Sequence, residues 1–262
     1  MGSLTGRRAI VTGAGRGLGR RIADSLAREG ANLVINARSS SKDIEPLKQD
    51  LETKYGVQAT CVVADVSNGD DCRHLIETAK QALGGVDILI NNVGVSPMMP
   101  LLDMTEADWR KVLSINLDSV FTCTRGVLPG MIERHWGRIV NLVGHVHLRG
   151  DAYRSHAAAA KGAIVGFSRS VSSEFSEHGI TVNCIGPGHM DTEERVRYYS
   201  DRQNELAGGQ RAEKEHWAAT RIPQRRLGPP EEIGNLCAFL CSDGASYITG
   251  QTILVNGGIY FG

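Results

Sequence analysis

The glycine-rich segment from Gly13 to Gly19 constrains the fold of this chain more than any other feature of the sequence. It follows the apolar run 9–11, which predicts a buried strand, and precedes an apolar stripe at helical spacing that begins at Ile22. Glycines here permit a tight turn and a close approach of the backbone to a pyrophosphate, whose oxygens the first N–H groups of the helix bind. Strand, turn and helix together predict a dinucleotide-binding loop.

Predicted strands and helices alternate along the rest of the chain. The strands are short and apolar on both faces, which is typical of a parallel sheet covered by helices on both sides. Strands are predicted at 9–12, 32–36, 59–63, 88–91, 138–142, 181–185 and 252–255, and helices at 17–29, 43–54, 70–83, 106–134, 152–177 and 230–242. We expect one doubly wound α/β domain over residues 1–262. The polar, arginine-rich stretch 189–229 is interpreted as a helical substrate lid inserted after the sixth strand.

The charge balance and the cysteines limit the classes of function. Lysine plus arginine equals aspartate plus glutamate, at 29 each, so no excess of charge indicates a nucleic-acid or membrane partner. The six cysteines are scattered through the chain, mostly in apolar segments, which predicts free thiols in a reducing compartment and no metal site. The N-terminus carries no apolar signal region, and no run approaches the length of a membrane span. We therefore expect a cytoplasmic protein.

The end of the second predicted strand favours one of the two nicotinamide dinucleotides. Loops that prefer NAD carry an acidic residue here to bind the ribose 2′-hydroxyl, whereas this chain has Ala37 followed by Arg38 and Ser39. Arg16, inside the glycine turn, is expected to face the same region. Two guanidinium groups and a cluster of serines suit a 2′-phosphate, so the sequence predicts NADP(H) as the cofactor.

Further motifs follow in order along nearly the whole chain. They are Thr12-Gly13-x-x-x-Gly17-x-Gly19, Asp65-Val66, Asn91-Asn92-Val93-Gly94, Asn116, Asn183-x-x-x-Pro187-Gly188 and Thr192. In order, spacing and predicted secondary structure, the chain resembles the short-chain dehydrogenase/reductase family. The resemblance implies a single Rossmann-type domain, assembled as a homotetramer or homodimer. It also implies hydride transfer between a nicotinamide and a carbonyl or alcohol carbon of a small molecule.

The resemblance implies which residues hold the cofactor. Pro187, Gly188 and Thr192 would hold the nicotinamide end, and Asp65 follows the third strand where an adenine would lie. The full set expected at the cofactor is Gly13, Arg16, Gly17, Leu18, Gly19, Arg38, Ser39, Asp65, Val66, Asn92, Gly94, Lys161, Pro187, Gly188 and Thr192.

Two of the four residues on which the family's chemistry depends are missing. By resemblance, Asn116 would hold a water and bend its helix, and Lys161 would bind the nicotinamide ribose and raise the local positive potential. The tyrosine position, four residues before the lysine, holds Ala157, and the serine position after the fifth strand holds Gly144. A lost general acid costs ~10²–10⁴ in rate and a lost oxyanion donor ~10²–10³. We therefore expect this chain to reduce carbonyls slowly.

Other side chains near these positions are candidate proton donors. Tyr153 lies four residues before Ala157 and is predicted to share that face of the helix, roughly 6 Å away along its axis. His145 directly follows the serine position and is predicted to point to the other face, His147 is close by, and His156 is next to the tyrosine position. A histidine donates protons near neutral pH, but a structural or pocket-lining role is the preferred interpretation of each.

Three interpretations of the altered pair remain open. The chain is a doubly substituted form of an ordinary reductase, or it performs chemistry that needs no tyrosine acid, or it is a cofactor-sensing binding protein. Chemistry of the second kind includes reduction of an iminium or activated alkene, and non-redox cyclisation or isomerisation. The substitutions Gly144→Ser and Ala157→Tyr discriminate between the three.

The substrate is expected to be a small carbonyl, alcohol or imine compound. Its pocket is predicted from sequence position to be mixed apolar and aromatic in character, and packing in the core is an equally good interpretation of the methionines. The predicted lining residues are Met98, Met99, Leu148, His189, Met190 and Trp217.

Overall fold

One parallel sheet organises the part of the chain that this computed structural model describes, residues 2–192 and 218–261. The order of its strands is β3-β2-β1-β4-β5-β6-β7. The strands are β1 (Arg8–Val11), β2 (Asn32–Ala37), β3 (Ala59–Val63), β4 (Ile88–Asn91), β5 (Gly137–Leu142), β6 (Ile180–Pro187) and β7 (Thr252–Val255). The helices are α1 (Gly17–Arg28), α2 (Glu45–Tyr55), α3 (Gly69–Leu83), α4 (Glu106–Leu113), α5 (Ser119–Glu133), α6 (Val146–Arg149), α7 (Ser155–Phe175) and α8 (Pro230–Cys241). The predicted doubly wound α/β sheet is confirmed.

Both faces of the sheet are buried because helices cover both. Successive strand residues alternate between the two apolar layers: Ile10 and Leu89 belong to the layer that includes residues of α3 and α5. Val11 and Ile90 belong to the layer that includes residues of α1 and α8. Side chains of a strand point alternately to opposite faces, which explains why the strands of this sheet are mostly apolar at successive positions in the sequence.

The strand order reverses between β1 and β4, and open sheets of this type bind ligands in the crevice at the carboxyl ends of such a pair. The side chain of Asn92 joins the two loops that border this crevice. Its Nδ2 donates to the carbonyl oxygens of Thr12 at 2.9 Å and Gly13 at 3.1 Å. Thr12 Oγ1 accepts from the Asn92 N–H at 3.0 Å. These hydrogen bonds fix the glycine turn against the loop that follows β4.

The predicted helix 106–134 is interrupted by a π-helical turn at Ser114–Asp118, between α4 and α5. Asn116 lies in this turn. Its Nδ2 donates to the carbonyl oxygens of Val95 at 2.9 Å and Val112 at 3.0 Å, and its Oδ1 accepts from the Val95 N–H at 2.9 Å. Asn116 therefore lies where the helix is interrupted, and the prediction of one unbroken helix is wrong.

The predicted helix 152–177 begins only at Ser155, after the short helix α6, which the apolar pattern does not indicate. Gly150 ends α6 in the left-handed conformation, with a φ of 68°. Tyr153 lies in the turn before α7, with a φ of 66°. The prediction that Tyr153 shares a helix face with Ala157 is therefore wrong, because the chain at Tyr153 is not helical.

The predicted lid, 189–229, lies largely outside the described residues, and so does Trp217. Its two described ends meet in a short parallel bridge between Met190 and Gly228. The Asp191 N–H donates to the Gly228 carbonyl at 2.8 Å, and the Gly228 N–H donates to the His189 carbonyl at 3.0 Å. The stretch therefore leaves and re-enters the fold at one place, beside the segment that follows β6.

Two findings bear on the expectations drawn from composition. All six cysteines are free thiols, as predicted, and the sulfur atoms of Cys72 and Cys123 are 3.7 Å apart. No helix within the described ranges is both long and apolar enough to span a bilayer.

A buried ion pair connects the amino-terminal ends of β1 and β4 to the residue that follows α5. Asp87 is 3% exposed and accepts from Arg8 Nε at 2.7 Å, from Arg8 Nη2 at 2.6 Å and from Arg134 Nε at 3.0 Å. Burial raises the pKa of the Asp87 carboxyl, but the hydrogen bonds and charges of Arg8 and Arg134 outweigh it. The pKa therefore lies below its ordinary value.

We expect Asp87→Asn to lower the free energy of unfolding at neutral pH by about 3 kcal/mol, the low end for a broken buried pair, because both arginines keep some access to water. A carboxyl with a depressed pKa in the folded state stabilises the protein above its unfolded pKa of about 3.9 and loses this effect as pH falls. Urea denaturation of the unaltered chain and of Asp87→Asn should therefore show a difference in the free energy of unfolding that shrinks below about pH 4.

The matched control is Asp70→Asn, which breaks the exposed pair between Asp70 and Arg73. Exposed pairs contribute about 0–1 kcal/mol. Equal losses of stability in the two variants would contradict the assignment of Asp87 as a buried anchor.

Candidate active site

A cavity of about 610 Å³ opens at the carboxyl ends of β4, β5 and β6. It brings together many of the residues predicted from sequence, although these are far apart along the chain. Those on its wall are Leu18, Asn92, Gly94, Met98, Gly144, His145, Tyr153, Lys161, Pro187, Gly188, His189, Met190 and Thr192. Met99 and Leu148 are not among the lining residues, so their prediction as pocket residues is not supported.

The glycine turn between β1 and α1 has the geometry that a pyrophosphate requires. No side chain caps the first turn of α1, which begins at Gly17. A Cβ at Gly19 would lie 2.2 Å from the carbonyl oxygen of Gly13, so only glycine lets the helix start this close to the strand. The first N–H groups and the positive end of the helix dipole therefore face the turn, where they fit an anion.

A buried asparagine that sequence reasoning missed connects the glycine turn to the ends of β2 and β3. Asn36 is 1% exposed, and its Oδ1 accepts from the Gly13 N–H at 3.3 Å. Its Nδ2 donates to the carbonyl oxygens of Val62 at 3.1 Å and Ala64 at 3.0 Å. The only indication in the sequence is an amide within an otherwise apolar strand, since a buried amide needs hydrogen-bond partners.

The residues predicted to select the dinucleotide lie at the surface beside this turn. Arg38 and Ser39 are exposed and follow directly after β2, and Arg16 is exposed just before α1. Asp65 follows β3, and its Oδ1 accepts from the Ser67 hydroxyl at 2.7 Å and the Ser67 N–H at 3.0 Å. These residues therefore lie along the edge where the carboxyl ends of β1, β2 and β3 meet.

Lys161 reaches the cavity from α7. Its Nζ donates to the carbonyl oxygen of Leu142, at the end of β5, at 2.8 Å. Burial lowers the pKa of the Lys161 ammonium to about 8, and the neighbouring Cys184 opposes this shift. Lys161 is therefore mostly protonated at neutral pH and becomes neutral as the pH rises through about 8.

The two positions without the family's hydroxyl groups have different surroundings. Gly144 lies on the cavity wall with a φ of 68°, and no atom lies within 4 Å of the place its Cβ would occupy. Ala157 is fully buried, one helical turn before Lys161, and is not among the lining residues. Neither residue offers a proton or a hydrogen bond from its side chain to a ligand in the cavity.

His145 is one of the residues on the cavity wall, so the prediction that it points to the other face from the serine position is not supported. The left-handed conformation of Gly144 redirects the chain at the end of β5. His145 Nδ1 is 3.3 Å from the carbonyl oxygen of Pro187. Its ring is stacked on Tyr260, with centroids 5.1 Å apart, and lies 5.3 Å from the ring of His189.

The other candidate donors are placed less favourably. His147 is not a lining residue, and burial lowers its pKa, with the charges of His145 and Lys161 acting in the same direction. His156 is fully buried, and its Nδ1 accepts from the Ala157 N–H at 2.9 Å. Tyr153 lines the cavity but is 53% exposed.

Charged residues at the end of α6 and in the segment between α6 and α7 contribute to the same wall, and sequence reasoning missed them. Arg149 Nε lies 3.0 Å from Asp151 Oδ1, and Arg149 Nη1 donates to the Tyr260 hydroxyl at 2.7 Å. Arg154 Nη1 donates to Ser96 Oγ at 3.2 Å. No periodic pattern marks these residues, because the segment is a turn and its partners lie far away in the sequence.

Comparison with known proteins identifies relatives over the whole length of the chain. A family model described as enoyl-(acyl carrier protein) reductase matches residues 13–260. The 3-oxoacyl-(acyl-carrier-protein) reductase FabG of Pseudomonas aeruginosa is 38% identical over 258 residues, which cover 98% of this chain and 99% of the relative. FabG of Staphylococcus epidermidis is 36% identical over 252 residues, covering 96% of this chain and 98% of the relative.

A solved structure shares the fold over its full length. L-sorbose reductase from Gluconobacter frateurii, complexed with NADPH and L-sorbose, superposes with a TM-score of 0.95 at 28% sequence identity. The match covers 100% of both chains.

Proposed function

Because this chain belongs to the short-chain dehydrogenase/reductase family, we propose that it is an NADP(H)-dependent oxidoreductase acting on the carbonyl or alcohol carbon of a small molecule. The observation that carries the proposal is the cavity, whose wall combines Lys161 and the segment 187–188 at the carboxyl ends of the strands. The same cavity receives no hydroxyl from Gly144 or Ala157, so the proposed enzyme reduces ordinary ketones slowly. A homotetramer or homodimer, with 189–229 as its substrate lid, belongs to the same proposal.

Different residues of the chain bind different parts of the dinucleotide, and the bound dinucleotide supplies or accepts the hydride. In this proposal the first turn of α1 binds the pyrophosphate, and the Lys161 ammonium binds the nicotinamide ribose. Segment 187–188 orients the nicotinamide, and Arg16 and Arg38 hold the 2′-phosphate as charge-assisted donors. The NADPH in the structure of L-sorbose reductase supports this choice of cofactor.

Reduction of an iminium is the second candidate function, favoured by the absence of side-chain donors at positions 144 and 157. A cationic iminium becomes a neutral amine when it accepts a hydride, so the step needs no general acid. Ketone reduction does need one, because the alkoxide that forms must be protonated.

The choice of dinucleotide is tested by Arg38→Asp. We expect this variant to bind NADPH about 10- to 30-fold more weakly, because it loses a charge-assisted hydrogen bond to the 2′-phosphate. Binding of NADH should stay the same or improve, because an acidic residue here suits a free 2′-hydroxyl. Fluorescence titration of the reduced dinucleotides measures both dissociation constants. The control is Arg110→Asp, an exposed arginine of α4, and an unchanged NADPH preference in Arg38→Asp would contradict the assignment.

A further inference from the structure

We propose that His145 protonates the substrate oxygen in this chain and so takes over the role of the family's tyrosine. The inference rests on the proposed oxidoreductase function and names a residue for the step that the substitutions at Gly144 and Ala157 leave without a donor.

His145 lies close to Lys161 in the fold. It follows Gly144 directly, and Leu142, three residues earlier, accepts the hydrogen bond from Lys161 Nζ at 2.8 Å. His145 and the Lys161 ammonium therefore lie at the same end of β5, and both residues line the same cavity. His147 and His156 do not line it, and the side chain of Tyr153 is half exposed.

A hydrogen bond orients the ring of His145. A carbonyl oxygen only accepts hydrogen bonds, so the contact of 3.3 Å to Pro187 makes His145 Nδ1 the donor. The hydrogen bond at one ring nitrogen of a histidine determines which nitrogen exchanges the proton, and here that nitrogen is Nε2. Pro187 also begins the segment proposed to orient the nicotinamide, so the same hydrogen bond positions the imidazole relative to the reacting end of the dinucleotide.

Packing against its neighbours holds the ring of His145 in place. His145 is 9% exposed, and its ring is stacked on Tyr260 with an interplanar angle of 24°. Tyr260 is itself held at both ends, because its hydroxyl accepts from Arg149 at 2.7 Å and its carbonyl oxygen accepts from Asn256 Nδ2 at 2.9 Å. A donor fixed in this way needs little reorganisation when the substrate binds, which is what an efficient proton transfer requires.

In the proposed step a ketone is reduced to an alcohol. The carbonyl carbon accepts a hydride from the reduced nicotinamide, and the C=O π pair moves onto the oxygen. That oxygen takes the proton from Nε2 of the imidazolium, which leaves an alcohol and a neutral imidazole that solvent reprotonates. Among the described residues, the titratable and charged groups around His145 include Lys161, His147, His189, Tyr260 and Arg149, which is paired with Asp151, so the test must separate their ionisation from that of His145.

The test compares His145→Gln with His147→Gln, a neighbouring histidine off the cavity wall, and with His189→Phe, which keeps a ring beside His145. In the unaltered chain we expect kcat for ketone reduction to fall as the pH rises through the histidine range, between about pH 5 and 8. His145→Gln should lower kcat about 10²-fold and abolish this dependence. His147→Gln should change neither, and the dependence due to Lys161 near pH 8 should remain in every variant.

Two further readouts separate a proton donor from a structural residue. The imidazole pKa of His145, measured by NMR without substrate, should match the kinetic value for the free enzyme taken from kcat/KM. Reduction of a preformed iminium by His145→Gln should proceed at the rate of the unaltered chain, because that step needs no proton.

A pH dependence that survives in His145→Gln, or one lost only in His189→Phe, would overturn the role of His145 while leaving the proposed function intact. An equal loss of iminium reduction would assign His145 to structure, and failure of the unaltered chain to oxidise NADPH with either substrate would overturn the proposed function as well.

Discussion

Ala157→Tyr is expected to raise kcat/KM for ketone reduction by up to ~10²-fold, the part of the usual ~10²–10⁴-fold contribution of a general acid that His145 does not already supply. The substitution places a phenol one helical turn before Lys161, on the same face of α7. The Lys161 ammonium already reaches the cavity, where it donates to the Leu142 carbonyl at 2.8 Å. A cation beside a phenol favours the ionised form and makes the hydroxyl a better proton donor to a developing alkoxide. Initial rates with a panel of ketones measure the gain.

The matched control is Ala157→Phe, which adds the same ring without the hydroxyl. Because Ala157 is fully buried, both rings must find room beside the cavity, so both variants need a thermal unfolding curve and an NADPH titration. An equal gain with phenylalanine would show that cavity shape, and not proton donation, limits the rate.

The family's residue is harder to restore at the serine position than at the tyrosine position. A Cβ at Gly144 has space, but the φ of 68° is a conformation that costs a residue other than glycine about 1–2 kcal/mol. Gly144→Ala carries the same strain without a hydroxyl and is therefore the control for Gly144→Ser. We expect any gain from the serine to be largest in the Ala157→Tyr background, since catalytic residues that act as a unit are not additive.

Lys161→Met is expected to lower kcat/KM by ~10²–10³-fold, because it removes a preorganised cation from the site where negative charge develops. Binding of NADPH should also weaken about 10-fold, which corresponds to one charged hydrogen bond. In the unaltered chain, the NADPH affinity should fall as the pH rises through about 8, where the Lys161 ammonium loses its proton. Titrations across that range measure the dependence, which should vanish in Lys161→Met.

Lys80→Met is the control for this variant, because Lys80 is an exposed lysine of α3 whose partner is the exposed Glu77. Removing a lysine there should leave both the affinity and its pH dependence unchanged. An NADPH affinity that does not change around pH 8 in the unaltered chain would argue against a role for the ammonium in holding the dinucleotide.

The features predicted correctly from the sequence are those set by local patterns. The sheet followed from short apolar runs, and the glycine turn followed from residues adjacent in the chain. Resemblance implied a bend at Asn116, and the structure places Asn116 in the π-helical turn, where it is hydrogen-bonded to Val95 and Val112.

The features that escaped prediction depend on backbone conformation or on partners distant in sequence. The orientation of His145 follows from the left-handed Gly144, which no apolar period reveals. Its ring is stacked on Tyr260, which lies far away in the sequence, and the exclusion of Tyr153 from α7 depends on a turn. The bridging role of Asn36 likewise becomes visible only when three strand ends are brought together.

The rate of iminium reduction relative to ketone reduction tests the central claim most directly, namely that this site binds the nicotinamide dinucleotide but lacks the family's proton donor. The measurement uses a ketone and a preformed iminium of the same carbon skeleton, with NADPH, in the unaltered chain and in Ala157→Tyr. We expect the iminium-to-ketone rate ratio to be up to ~10² times larger in the unaltered chain than in Ala157→Tyr, since the phenol adds to the proton donation by His145 for the ketone alone. Equal ratios in the two chains, with the unaltered chain reducing the ketone at an ordinary ~1–10³ s⁻¹, would contradict it.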